Sequence, residues 1–243
     1  MTVCALFDFA DTLAELNPKR EEIVANYIEH SSGIQLNIDV ITRAYRALDL
    51  LMPYSSVNTT TTTQRINFYR SYNKQLLTLL GVTHWVDPTG LITIFAETMA
   101  HWQLKPGVRA LLVELRSRGY RIGIISNFDT RLEQIVYDHL GLVDTVDYLH
   151  ISQTEGIEKP DPRFYLGFFV RYGLDINQAI YTGDSYVLDF EPATGIGLKT
   201  WLLDEAGLYL HLPEAIRNLS EIIKRLDYQI DNKATPKISH QIK

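Results

Sequence analysis

Val3-Cys4-Ala5-Leu6-Phe7-Asp8-Phe9-Ala10-Asp11-Thr12-Leu13 is the stretch whose reading decides the fold. Five apolar residues run without alternation into an aspartate. Such a run fits a central strand buried on both faces rather than a half-exposed one. A carboxylate at its C-terminal end lies where open α/β sheets hold their ligands. Alone, Asp8 could equally be a turn former or a cap, because aspartate serves in both roles. The same pattern recurs downstream, and that shifts the balance.

Outward from this strand, a βα rhythm returns at Lys105. Pro106 opens a predicted helix carrying Val108, Leu111, Leu112 and Leu115, stopped by Gly119. Strands are predicted at Tyr120 to Ile125, Val146 to Ile151, Gln178 to Thr182 and Leu198 to Leu203. Between them, Thr130 and Glu133 have capping-box spacing, and Asp161-Pro162 suits an N-cap and first turn. Pro213 is read as starting a last helix with Ile216, Leu219, Ile222, Ile223 and Leu226 on one face. Strands alternating with helices predict an α/β fold with a Rossmann-like, doubly wound parallel sheet.

Residues 16–102 interrupt that rhythm. Apolar stripes at helical spacing predict four helices: Ile23, Val24, Tyr27 and Ile28, closed at Gly33; Ile41, Ala44, Tyr45 and Leu48, ended near Pro53; Ile66, Tyr69, Leu76, Leu77 and Leu80, closed by Gly81; and Leu91, Ile94, Phe95, Thr98 and Met99. Thr59 to Thr63 are five threonines in a row, read as a loop leading into a helix cap. The expected division is therefore a core of residues 1–15 and 103–226, an inserted all-helical domain of 16–102, and a polar, aperiodic tail of 227–243, read as disordered.

The composition sets outer bounds. At 243 residues, 46% hydrophobic and 21% charged, the chain suits one α/β domain with a modest insert. A net charge of −6 argues against a broad nucleic-acid surface. Cys4 is the only cysteine, so no disulfide can form within the chain. No run approaches a membrane span, and residues 1–15 lack the basic start and cleavage site of a signal peptide. The expectation is a cytoplasmic protein with no membrane or nucleic-acid partner and an oligomeric state left open.

Four polar stretches fall at or just beyond the ends of four predicted strands: Asp8 with Asp11-Thr12, Ser126-Asn127, Lys159-Pro160, and Gly183-Asp184 with Asp189. In a parallel sheet these ends share one edge. Asp8, Asp184 and Asp189 would form a hard, all-oxygen set suited to Mg²⁺. Carboxylates gathered without a cation repel one another, which makes a metal close to obligatory. Lys159 and Ser126 can each take an anionic oxygen, and Thr12 and Asn127 join them as candidate phosphate or substrate contacts. The chemistry this suits is phosphoryl transfer with Asp8 as nucleophile.

These four stretches resemble the motifs of the haloacid dehalogenase superfamily, in order and in spacing. Phe7 to Leu13 is similar to its first motif, hhhDxD(G/D)TL; Ile124 to Asn127 to the second; Lys159 to Pro162 to the third; and Gly183 to Asp189 to the fourth. The resemblance covers residues 1–15 and about 103–226, and the helical block sits where the family inserts its cap. It implies a capped phosphatase-type hydrolase acting on a small phosphorylated metabolite through an aspartyl-phosphate on Asp8. It further implies Mg²⁺ held by Asp8, the backbone carbonyl of Ala10 and Asp184, with Asp189 supporting.

Position 10 departs from the pattern. Family phosphatases carry there the aspartate that protonates the leaving oxygen and later activates water; Ala10 can do neither. Losing a general acid/base costs on the order of 10²–10⁴ in rate. Three readings compete. Alanine was introduced in place of aspartate and impairs the enzyme. Or the natural substrate is a phosphonate, an acyl phosphate or a halide, whose leaving group needs no proton. Or the chain is an inactive binding module, which intact Asp8, Lys159 and Asp184 argue against. Phosphonoacetaldehyde hydrolases of the superfamily carry D-x-A-G-T but need a cap lysine, for which only Lys19 and Lys74 are available. Arg43, Arg46, Arg65 and Arg70 are candidates for a second anionic group of the substrate, each weighed against a plain solvated helix face.

Overall fold

The computed structural model describes residues 3–51, 59–97 and 101–234. Its strands are β1 Val3–Phe7, β2 Ala14–Leu16, β3 Trp102–Leu104, β4 Tyr120–Ser126, β5 Tyr148–Ile151, β6 Ala179–Gly183, β7 Lys199–Leu203 and β8 Ala215–Ile216. All but β2 and β3 form one sheet in the order β5-β4-β1-β6-β7-β8, with every pairing parallel.

The lack of alternation in β1 has a direct cause, because both faces of the sheet are covered. Ala5 and Phe7 enter one core with Leu112, Ile124 and Ile222, while Cys4 and Leu6 enter another with Phe164, Phe168 and Tyr181. Burial pushes the Cys4 thiol up to about 12, so this cysteine is an inert packing residue. Gly123 in β4 makes room for its neighbour: a Cβ there would lie 2.6 Å from Leu6 Cδ2.

The helices are α1 Arg20–Ser32, α2 Ile38–Leu51, α3 Thr62–Leu79, α4 Pro88–Ala96, α5 Val108–Ser117, α6 Arg131–Gln134, α7 Ser152–Glu155, α8 Pro162–Tyr172, α9 Glu191–Gly195 and α10 Glu221–Ala234. The first four pack on one another around Val24, Ile28, Ile41, Leu48, Leu76, Leu77 and Leu91, a core separate from the two on the sheet. Gly33 ends α1 at φ 73°, where a side chain would be strained. The threonine run does enter a helix through a cap: the Thr61 hydroxyl accepts from Gln64 N, and Gln64 Oε1 accepts from Thr61 N. The third stripe is rotated from its expected setting. Phe68, Tyr72, Leu76 and Leu77 are buried, whereas Ile66 is exposed, because the bulky aromatic positions fill the groove against α2. Pro53, Thr98 and Met99 lie outside the described residues.

Several expectations are corrected. Residues 14–16 and 102–104 form an antiparallel ribbon where no strand was predicted, since three-residue strands carry too little alternation to read. Thr130 and Glu133 form no capping box: Thr130 is already helical, and Asp129 Oδ1 accepts from Arg131 N instead. Ile216 belongs to β8, and the last helix starts at Glu221 rather than at Pro213. That helix continues to Ala234, past the Asp227 boundary of the expected tail; Asp227 is held there by Arg118. Residues 235–243 lie outside the described part. Among the described residues no helix is long and apolar enough to cross a membrane.

Candidate active site

β1 is the switch point of the sheet. From it the chain moves to β4 and β5 on one side, then crosses to β6, β7 and β8 on the other. The C-terminal ends of β1, β4 and β6 therefore open onto one crevice. Asp8 continues the strand pairing by donating its N–H to the Thr182 carbonyl at 2.9 Å. The turn that follows is closed by Leu13 and Ala14 N–H groups on the Phe9 carbonyl, with Asp11 at φ 59°, a left-handed position that aspartate tolerates.

Lys159 organises the site. Its ammonium lies 2.6 Å from Asp8 Oδ1 and 2.7 Å from Asp189 Oδ1, and all three residues are buried. It also reaches the Tyr181 hydroxyl at 3.4 Å, and that hydroxyl donates to Asp189 Oδ1. Asp189 Oδ2 accepts from Ser185 N at 3.1 Å. Gly183 is required here, because a Cβ would lie 2.3 Å from Asp189 Cγ. Gly183→Ala is expected to push Asp189 off Lys159 and to cost about 1–3 kcal/mol of stability by overpacking. Denaturant unfolding checks this, and an unchanged midpoint would contradict it.

Asp8, Asp184 and Asp189 each bring a carboxylate oxygen within 4.8 Å of the others. Asp184 is the least buried of the three and accepts from the Thr12 hydroxyl at 3.2 Å. One ammonium faces three carboxylates, and the crowding bears on Asp8 and Asp184. Burial pushes Asp8 up to about 6, and Asp189 adds to this against the pull of Lys159. Burial, then Asp8 and Asp189, raise Asp184 as well. Burial works against the charge on Lys159, yet Asp189 and Asp8 outweigh it and keep it protonated. A hard divalent cation among these oxygens would relieve the repulsion, so the donor set fits Mg²⁺.

A pH dependence follows. Folded Asp8 holds its proton more tightly than the unfolded chain does, so between about pH 4 and pH 6 the folded state binds more protons. Stability contributed by this group is then fullest in acid and is lost as pH rises, by ~3 kcal/mol. Melting curves of the wild type minus those of Asp8→Asn, in metal-free buffer, should show the loss. Mg²⁺ added above pH 6 should restore it, and a Tm that Mg²⁺ leaves unmoved would count against a metal here.

Of the residues singled out from the sequence, Asp8, Lys159, Asp184 and Asp189 come together. Ser126 ends β4 on the same edge, buried, outside the hydrogen bonds around Lys159. Ala10 lies in the turn beside Asp8, bridged to Ala14. Two expected substrate contacts are engaged elsewhere. The Asn127 amide accepts from Lys159 N at 2.8 Å and donates to the Lys159 carbonyl at 2.9 Å, so it clamps the lysine's backbone. Thr12 is committed to Asp184. Of the four helical-block arginines, Arg65 reaches the sheet domain, 3.8 Å from Asp129, whereas Arg43, Arg46 and Arg70 are exposed. Tyr181 was not anticipated. A tyrosine in a fully buried strand needs a hydrogen-bond partner, and that was the available signal.

Residues 3–197 match the family model described as haloacid dehalogenase-like hydrolase. Glyceraldehyde 3-phosphate phosphatase of Pyrococcus abyssi is 28% identical over 197 residues, which is 80% of this chain and 78% of that protein. Haloacid dehalogenase-like hydrolase domain-containing protein 3 of Mus musculus is 28% identical over 203 residues, 81% and 80% of the two chains. In fold, the magnesium-bound YfnB of Bacillus subtilis superposes with a TM-score of 0.73 at 19% identity, covering 93% of this chain and all of that one.

Proposed function

We propose that this chain, which belongs to the haloacid dehalogenase-like hydrolase family, removes phosphate from a small phosphorylated metabolite through Asp8. The observation that carries the reading is the buried Lys159 ammonium joining Asp8 and Asp189 at 2.6 and 2.7 Å. This lysine holds one oxygen of Asp8 and leaves the other free to attack phosphorus. The bond from phosphorus to the leaving oxygen breaks, and water then hydrolyses the aspartyl-phosphate to inorganic phosphate and the original carboxylate. Ser126 and Lys159 would take equatorial oxygens of the phosphoryl group. Asp189, fixed by Tyr181 and Ser185, keeps Lys159 in place. Asp8, Asp184 and the Ala10 carbonyl would hold Mg²⁺, with Asp189 behind them; when bound it would neutralise charge developing on the phosphoryl oxygens.

The block of residues 16–102 is read as a cap over this site, with 1–15 and 103–226 as the core. Ala10 favours a second reading on its own observation. With no acid at that position, substrates whose leaving group needs no proton, acyl phosphates and phosphonates among them, are at less disadvantage. The phosphatase relative named for glyceraldehyde 3-phosphate makes phosphorylated trioses the first substrates to try. The test is Mg²⁺-dependent phosphate release from p-nitrophenyl phosphate, acetyl phosphate and a panel of sugar phosphates. Release from none of them by either the chain as it stands or its Ala10→Asp form would overturn the proposal.

A further inference from the structure

Glu158, the residue before Lys159, is bound by the helical block. Both of its carboxylate oxygens are engaged by one residue: Thr59 N donates to Oε1 and the Thr59 hydroxyl to Oε2, each at 2.6 Å. These are short, charge-assisted bonds with both ends half-buried. They do not stand alone. Gln153 Nε2 donates to the Thr62 hydroxyl at 3.4 Å, Arg131 donates to the Ala96 carbonyl at 2.6 Å, and Arg65 pairs with Asp129. Among the described residues, each of these sheet-domain partners comes from the segments after β4 and β5; Ser126 ends β4, and Lys159 lies in the segment after β5.

The seam is set in register with the nucleophile. Asn127 clamps the Lys159 peptide on both sides, and the Glu158 carbonyl accepts from Asp161 N at 3.0 Å. The backbone of Glu158 is therefore fixed relative to the ammonium on Asp8.

We propose that Glu158 and Thr59 form a latch that holds the helical block closed over Asp8, with Glu158 acting as a positioning residue that couples closure to Lys159. This rests on the phosphatase reading for its effect on turnover, but not for the latch itself. Two measurements on the full chain separate them. The first is amide hydrogen exchange across residues 59–64 in wild type, Glu158→Ala, Glu158→Gln and Thr59→Val. Glu158→Ala should speed exchange there about tenfold. Glu158→Gln keeps one carbonyl acceptor and should fall between the two, and Thr59→Val should resemble it. Core amides of β1 and β6 should stay as protected as in wild type, which a general loss of stability would not allow.

The second is steady-state hydrolysis of p-nitrophenyl phosphate with Mg²⁺, in the chain as it stands and in the Ala10→Asp background. Glu158→Ala should lower kcat about tenfold by thinning the closed population, with KM little changed. Unchanged exchange at 59–64 in Glu158→Ala overturns the latch. Faster exchange with unchanged kcat overturns its coupling to Lys159. If no form hydrolyses any phosphate, the functional reading fails, and the exchange comparison still decides the latch.

Discussion

Asp8→Asn is expected to abolish phosphate release, by roughly 10⁴-fold or more in kcat, while the protein stays folded. Asparagine keeps the size and most hydrogen bonds of aspartate but cannot form the covalent intermediate. It also removes one of three crowded carboxylates whose mutual repulsion, on top of burial, holds Asp8 up at about 6. The variant should therefore be at least as stable as wild type near neutral pH in metal-free buffer. Loss of activity with an equal or higher Tm is the expected pair of results. A variant that retains more than about a hundredth of the activity would show that the chemistry does not pass through this side chain.

Ala10→Asp is expected to raise kcat on ordinary phosphate esters by about 10²–10⁴. The turn is already built to carry it: the Phe9 carbonyl closes the loop, and Ala10 is only partly buried beside Asp8. On the proposed mechanism, a carboxyl there would supply the proton for the leaving oxygen. The gain should be large for sugar phosphates and small for acetyl phosphate, whose leaving group needs no proton. The difference between the two substrates is the informative quantity. A uniform gain would mean that the new carboxylate improves binding or metal retention rather than proton transfer. No gain on any ester would support a natural substrate with a self-sufficient leaving group.

The parts of this site legible in the sequence are those with a local signature. An unbroken apolar run before Asp8 reads as a doubly covered strand, and Ala5 and Leu6 do face opposite cores. Asp161-Pro162 reads as a helix start, and Asp161 caps Arg163 N in α8. The failures share a different cause. Ile216 has helical spacing to Leu219, Ile222 and Ile223, but its backbone pairs with Leu203, which no periodicity in its own neighbourhood reports. Asn127 likewise meets a peptide 32 residues away, a partner that its place after Ser126 does not report.

By itself the sequence determined that strands alternate with helices, that Asp8, Ser126 and Asp184 stand at or next to strand ends with Lys159 further along beyond a fourth, and that parallel strands put those ends on one edge. It determined this because the period of a strand and the apolar demand of its two faces are properties of consecutive residues. Only the tertiary structure decided that Lys159 lies between Asp8 and Asp189 above the Tyr181 hydroxyl. Only it seated Thr59 on Glu158, 99 residues distant. Those choices rest on side chains meeting across long loops, where burial and the need to pair each buried polar group select the partner, and neither leaves a repeat in the chain.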